Sequence, residues 1–129
     1  MANTHPRTVL LSFRIKTKGR SDEEYDKRYD AVETIVKKVK TGKDWKSTTS
    51  VVVFKTRLSL RVLASMIATV LTPTKDEFVI CYHETGEGFY WGKVSDPEVL
   101  ESLTGLRSLD PLSLEELKAR FRRAKKKAK

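Results

Sequence analysis

The sequence has few of the residues that stabilise small secreted proteins or place a chain in a membrane. Its 129 residues include one cysteine, Cys81, so no intramolecular disulfide can form. No apolar run approaches the ~20 residues needed to cross a bilayer. The first residues contain only a short apolar run at 9–11 and no small-residue cleavage site, which is not the pattern of a secretory signal. We therefore expect a cytoplasmic protein.

Signals for catalysis, metals and cofactors are equally scarce. The two histidines, His5 and His83, are far apart in the sequence and have no obvious partner. The glycine-rich segment 84–88 is not followed, at the required spacing, by the lysine or threonine of a phosphate-binding loop, and it is more typical of a β-hairpin. Carboxylates four residues apart on a predicted helix are more typical of a solvated face than of a metal site; they are Asp22, Asp26 and Asp30. We predict no catalytic residue, no metal and no cofactor.

The chain does have an excess of positive charge, and most of it lies in one segment. The net charge is +9, and residues 113–129 carry eight Lys and Arg against two Glu, a net of +6. Such a cationic block attracts polyanions, because each phosphate that it neutralises releases a condensed counterion. The simpler alternative is a solvated tail, and an anionic membrane is less favoured because the segment has few large apolar residues. The charge therefore predicts binding to a nucleic acid, DNA or RNA.

The apolar patterns predict an α+β protein. We expect strands at residues 8–15, 50–56, 77–82 and 89–94, with a shorter one at 44–49. Helices are expected at about 22–40, 60–71, 97–103 and 113–126, the first and last opened by capping boxes. This order predicts a ferredoxin-like (split βαβ) fold, a single antiparallel sheet with two helices on one face. The expected units are a ferredoxin-like domain at 1–94, a short helix and linker at 95–112, and a basic C-terminal helix or tail at 113–129.

Three sequence patterns follow one another between residues 8 and 94. They are the strand TVLLSFRI before a long amphipathic helix, Trp45 with SVVVFKT and the helix SLRVLASMIATVL, and EFVICY joined by a glycine-rich turn to FYWGKV. Together, over residues 8–94, they resemble the Cas2-type CRISPR-associated family and its SinR-like and VapD-like relatives. The resemblance implies a ferredoxin-like homodimer and, in active relatives, a metal-dependent nuclease whose first strand ends in an aromatic residue and a metal-binding aspartate. Here these positions are Phe13 and Arg14, and a guanidinium cannot ligate Mg²⁺.

Two groups of cations are the predicted nucleic-acid contacts. The first follows the two central strands, which we expect to be parallel neighbours whose carboxyl ends form one basic rim; it comprises Arg14, Lys16, Lys18, Arg20, Lys55, Arg57 and Arg61. The second lies on the C-terminal helix and comprises Lys118, Arg122, Arg123, Lys125, Lys126 and Lys127. An apolar stripe on that helix, Leu114, Leu117 and Phe121, is expected to dock on the body or on a protein partner. The aromatic residues Trp45, Phe89, Tyr90 and Trp91 are interpreted as core or dimer contacts in preference to base-stacking groups.

The leading interpretation is a non-enzymatic, homodimeric nucleic-acid-binding protein that mainly contacts phosphates and discriminates weakly between sequences. Two alternatives stay open. One is the metal-dependent endonuclease that the resemblance implies. The other is a protein–protein adaptor or toxin–antitoxin-type component, in which the apolar stripe of the C-terminal helix would enter a groove of its partner.

Overall fold

The alternating and helically spaced apolar residues form six strands and four helices within the described part of the chain. The computed structural model describes residues 5–46 and 50–127, with side chains as far as residue 122. In chain order the elements are β1 (Arg7–Arg14), α1 (Asp22–Val39), β2 (Lys40–Trp45), β3 (Val51–Thr56), α2 (Leu60–Thr69), β4 (Glu77–Tyr82), β5 (Gly88–Gly92), α3 (Pro97–Thr104), β6 (Arg107–Ser108) and α4 (Leu114–Lys127).

The strands form one open sheet in the order β2-β3-β1-β4-β5-β6. Neighbouring strands are antiparallel, except that β6 runs parallel to β5. A parallel neighbour requires a crossover connection, and α3 lies in that connection here. The α+β class is therefore confirmed, whereas the prediction of a purely antiparallel sheet is wrong, because the sheet is mixed.

β1 and β3, the two strands expected to be parallel, are antiparallel neighbours. Their register places Arg7 opposite Thr56 and Ser12 opposite Val51. The prediction that these strands are parallel, with both carboxyl ends at one edge, is therefore wrong. The strands that run in the same direction are β1 and β2, which are connected through α1. β3 lies between them in the sheet and runs in the opposite direction.

The core lies between one face of the sheet and the helices α1 and α2. Alternate strand residues and one stripe of each helix belong to the same buried cluster. Its largest fully buried apolar side chains come from β1, β3, β4 and both helices: Val9, Leu11, Phe54, Phe78, Ile80, Val32, Leu63 and Ile67. Both helices therefore cover the same face of the sheet.

We call the opposite face of the sheet the open face. On the three central strands it consists of the side chains that alternate with the core residues: Leu10, Ser12, Arg14, Val51, Val53, Lys55, Glu77, Val79 and Cys81. Helix α3 covers this face at β5, where the buried Tyr90 donates its hydroxyl hydrogen bond to the Glu101 carboxylate. The nine side chains of the central strands are half-buried or exposed.

Most element boundaries lie within two residues of the prediction, and the larger differences concern β2 and β6. α1 ends at Val39 and β2 begins immediately at Lys40, so Gly42 does not end the helix. Gly42 instead lies within β2 with a φ of 74°, where the register against β3 shifts. The second difference is β6, which lies within the predicted linker 106–112. Residues 47–49 of the predicted strand 44–49 lie outside the described residues.

Candidate nucleic-acid interface

The basic helix α4 is attached to the rest of the protein through its first turns. Leu117 is buried in a small cluster with Leu112 and the side of α2. The N–H of Leu112 donates a 2.9 Å hydrogen bond to the Ser65 hydroxyl of α2, which fixes the segment before the helix. Of the predicted apolar stripe, Leu117 docks, whereas Leu114 and Phe121 are 57% and 40% exposed.

The predicted capping box closes the first turn of α4. The Glu116 N–H donates to the Ser113 hydroxyl at 3.1 Å, and the Ser113 N–H donates to the Glu116 carboxylate at 3.2 Å. The pKa of the Glu116 carboxyl is lowered, first by its hydrogen bonds with Ser113 and further by the positive charges of Arg61 and Arg120. Cations of α2 and α4 thus lie near the same carboxylate. The docked helix therefore extends the positive charge that surrounds the start of α2.

We call this region the basic surface. Three members lie between the end of β3 and the first turn of α2, and three lie on α4: Lys55, Arg57, Arg61, Lys118, Arg120 and Arg122. All six side chains are exposed. Among the described side chains, Lys55, Arg57 and Lys118 form no ion pair. Their charges are therefore available to an external anion.

The start of α2 adds to the positive potential. Ser59 caps this helix, and the first turn contains no acidic residue but does contain Arg61. A cation there is unfavourable for folding, because the positive end of the helix dipole lies at the same place. Arg61 is held by two hydrogen bonds to the Asp110 carbonyl, at 3.0 and 2.9 Å, and lies 3.7 Å from the exposed Asp110 carboxylate. The charge of Arg61 at the start of α2 therefore does not stabilise this helix.

Two further arginines belong to this end of the protein and are absent from the predicted set. Arg120 lies within the cationic segment 113–129, so the sequence could have identified it as a candidate contact. Arg7 begins β1 opposite Thr56, and its guanidinium lies 4.8 Å from the centroid of the Tyr82 ring. Nothing local marks Arg7, because its position beside the end of β3 results from antiparallel pairing.

The other predicted cations lie at the opposite end of β1. Arg14 ends that strand, and Lys16 and Lys18 follow it. Lys55 is opposite Thr8 in the register, so the two groups are separated by the length of β1 between Thr8 and Arg14, about 20 Å. The single basic rim of the prediction is therefore not formed, because the strands that carry its two halves run in opposite directions.

Arg20 is buried and cannot be a nucleic-acid contact in this conformation. Its side chain is 1% exposed and forms a two-armed ion pair with the fully buried Asp76, with N–O distances of 2.5 and 2.9 Å. Asp76 also accepts hydrogen bonds from the N–H groups of Lys16 and Thr72, at 3.1 and 2.8 Å. Burial alone would raise the pKa of Asp76, but these hydrogen bonds and the Arg20 charge outweigh it, and the pKa is lowered. Arg20 thus connects the loop after β1 to the turn before β4.

Several other predictions can be placed or set aside. The side chains of Arg123, Lys125, Lys126 and Lys127 lie outside the described residues. In residues 5–46 and 50–122, no group of three or more His, Cys, Asp or Glu could hold a metal ion. The carboxylates of Asp22, Asp26 and Asp30 are exposed on α1. None of the helices within the described residues is long and apolar enough to span a bilayer.

Comparisons with known proteins give no family for this chain. No protein-family model matches it, and no curated protein or solved structure matches it significantly. The geometry of the described residues is therefore the basis for a function.

Proposed function

We propose that this protein binds nucleic acid without cleaving it, chiefly through phosphate contacts of the basic surface. The observation that carries the proposal is the docking of α4 through Leu117, which is 4% exposed. A docked helix holds Lys118, Arg120 and Arg122 in a defined place near Arg61. Less conformational entropy is then lost on binding than a loose cationic tail would lose.

The expected mode of recognition follows from the chemistry of this surface. Lysine and arginine contacts to phosphate position a protein on a nucleic acid without reading its sequence. Each contact also releases counterions, so the affinity depends steeply on salt. We therefore expect weak discrimination between sequences and a strong loss of affinity as the salt concentration rises.

We also propose that β1, α1, β2, β3, α2 and β4 form a split βαβ unit related to the Cas2-type family. The strand order β2-β3-β1-β4 and its antiparallel pairing support this relation. In such a relation Arg14, exposed on the open face, occupies the position of a metal-binding aspartate, which favours binding over metal-dependent cleavage. A homodimer would duplicate the basic surface. Sedimentation equilibrium tests this last point, and a monomer at every concentration would contradict it.

Fluorescence anisotropy of labelled oligonucleotides, measured over a range of salt concentrations, tests the main proposal. We expect the double variant Arg57→Ala/Arg61→Ala to bind more weakly. It should also lower the slope of log affinity against log salt by about 1.4–1.8, because each lost phosphate contact changes the slope by ~0.7–0.9. The α4 variant Lys118→Ala/Arg122→Ala should have an effect of similar size.

A matched control removes two cations elsewhere. Lys27 and Lys37 are exposed on α1, and Lys27→Ala/Lys37→Ala changes the net charge by the same amount. We expect this variant to keep the wild-type slope. An equal loss of slope would mean that net charge alone attracts the ligand, and a wild-type protein that ignores oligonucleotides in dilute buffer would end the proposal.

A protein-adaptor function is the second candidate, because part of the α4 stripe is uncovered. Leu114 and Phe121 are exposed and lie two helical turns apart, which is the spacing of a helix that enters a partner's groove. The variant Leu114→Ser/Phe121→Ser tests it. An adaptor would lose its partner while its oligonucleotide affinity stayed unchanged, and a defined partner must survive nuclease treatment.

A further inference from the structure

The open face of the sheet shares one residue, Lys55, with the basic surface, and the cations of α2 and α4 are not part of it. Its middle is apolar, because Leu10 lies between Val53 and Cys81 in one row of the register. Cations lie toward the two ends of this face, Lys55 at the end where β1 begins and Arg14 where β1 ends. The face thus combines a half-buried apolar centre with a positive charge at each end.

Trp45 extends the apolar row across β2. It is opposite Val53 in the register, and directly opposite residues of an antiparallel pair share one face of the sheet. Its side chain is 54% exposed. The other tryptophan of the chain, Trp91, is 9% exposed and stacks on Phe78 in the core, with 5.3 Å between ring centroids. Trp91 therefore packs in the core, whereas about half of the surface of Trp45 is accessible.

A groove of about 530 Å³ lies around the Arg14 end of β1, beside α3, and is lined from the open face and also from the core side, by Phe13, Ile15, Phe78 and Tyr25. Its lining includes a cation, an acid, serine hydroxyls and aliphatic side chains, among them Arg14, Glu77, Ser12, Ser95, Val79 and Leu100. Arg14 and Glu77 are directly opposite each other in the register, yet they form no ion pair among the described side chains. Binding sites for small molecules have volumes of roughly 300–1,000 Å³, so one nucleotide unit fits here.

The chemistry of these groups matches the parts of a nucleotide. A guanidinium donates paired hydrogen bonds to a phosphate, and a carboxylate accepts hydrogen bonds from a sugar hydroxyl or a base amino group. The exposed indole of Trp45 offers a flat surface on which a base can stack. Trp45 and Arg14 are two strands and four residues apart, about 17 Å, so one short segment of polymer reaches both.

We propose that the open face binds an unpaired segment of nucleic acid, with a base stacked on Trp45 and a nucleotide in the groove whose phosphate binds Arg14. This inference rests on the proposed function and names the class of nucleic acid. The bases of a duplex are stacked on one another and cannot lie flat on Trp45, whereas an unpaired base exposes its π-face. A duplex can still bind the basic surface through its phosphates.

Tryptophan fluorescence tests the inference, because Trp45 and Trp91 have different exposures. Titration with an oligothymidylate should quench part of the emission, and the matching duplex with oligoadenylate should leave it unchanged. Trp45→Ala should abolish the quenching and weaken single-strand binding by about 5- to 150-fold, the range for loss of one stacked base. Trp45→Phe should keep part of this affinity, and Arg14→Ala should weaken single-strand binding more than duplex binding.

Leu103→Ala is the matched control, because Leu103 is 79% exposed on α3 and does not line the groove. We expect it to bind as wild type does. The inference is wrong if anisotropy shows that the single strand binds while the tryptophan emission stays unchanged. It is also wrong if Trp45→Ala binds the single strand as tightly as wild type does, or if Arg14→Ala loses affinity for single strand and duplex equally. In each of these outcomes the proposed function stands, whereas a wild-type protein that binds no oligonucleotide overturns both.

Discussion

Asp76 is the buried carboxylate on which the packing of two loops depends, and its replacement has a calculable effect. We expect Asp76→Asn to lower the free energy of unfolding by about 3–5 kcal/mol, the range for breaking a buried ion pair. The two side chains have nearly the same size, so no cavity contributes to the loss. The change removes the negative charge that compensates Arg20, whose side chain is 1% exposed.

The hydrogen bonds of Asp76 give the same magnitude by a second route. The carboxylate accepts from two nitrogens of Arg20 and from the N–H groups of Lys16 and Thr72. The oxygen of an asparagine can accept about two of these four, and its NH₂ group would face the remaining donors. Two buried donors without partners cost about 1–3 kcal/mol each. Since a domain is stable by about 5–15 kcal/mol, the variant would lose a large part of its stability.

Urea unfolding, followed by circular dichroism, measures this loss. The free energy of unfolding of a small protein falls by about 1–3 kcal/mol per molar urea, so the urea concentration at the unfolding midpoint should fall by roughly 2 M. Asp110→Asn is the control, because the Asp110 side chain is 97% exposed, and it should change stability by no more than about 0.5 kcal/mol. If Asp76→Asn lost no more than this control, the buried ion pair would not be a determinant of the fold.

The effect of Asp76 also has a definite dependence on pH. Its pKa in the folded protein is lowered from an ordinary value of 3.8, so the unfolded chain takes up the proton first as the pH falls. The stabilisation is therefore complete well above pH 3.8 and is lost as the pH falls through the folded-state pKa. The stability difference between wild type and Asp76→Asn should be constant near neutrality and narrow in acid, and a difference that widened in acid would contradict the assigned direction.

Four other changes have expected outcomes. Gly92→Ala should be strongly destabilising in thermal melts, because φ is 86° and a Cβ would lie 2.0 Å from the Asp76 carbonyl oxygen. Gly86→Ala, with φ of 76° and no atom within 4 Å, should cost only about 1–2 kcal/mol. Leu117→Ala should lose about 2 kcal/mol, the low end for a buried leucine, and hydrogen exchange of the α4 amides should accelerate. Tyr90→Phe removes the hydrogen bond to Glu101 and should destabilise α3 by about 1 kcal/mol, which exchange of its amides would detect.

Local signals in the sequence were sufficient for much of the fold. The predicted N-cap serines, Ser21 and Ser113, mark the starts of α1 and α4 as the structure has them, although the Glu24 carboxylate bonds to Arg28 instead of closing a capping box at Ser21. The spacing of Val32 and Val36 predicts which side of α1 is buried. β4 has the predicted bounds, because its alternating pattern is bordered by a turn on each side. Each of these features depends on residues that are neighbours in the sequence.

The errors arise where long-range pairing decides the structure. β6 has two residues, and only its alignment with β5 makes it a strand. Gly42 is a residue type that commonly ends helices, but here it lies within β2, where the register against β3 shifts. Arg20 lies in a basic loop and is typical of a surface cation, while the partner that buries it, Asp76, is 56 positions later in the sequence. The side of the sheet on which Trp45 lies likewise follows from its pairing with Val53 and from no local pattern.

The direction of β3 relative to β1 determines which kind of anion the proposed function can involve. Parallel strands would have gathered their cations at one edge, where a compact anion could contact all of them. Antiparallel pairing instead separates Lys55 from Arg14 by about 20 Å, roughly twice the screening length at physiological salt, so neither charge strengthens the field of the other. A small anion can contact only one of the two groups, whereas an extended polymer can contact both. The apolar row between them, from Trp45 to Cys81, suits sugars and bases better than phosphates. The total charge of the chain would be the same in either arrangement, so only the strand pairing favours an extended, unpaired strand over a small anion.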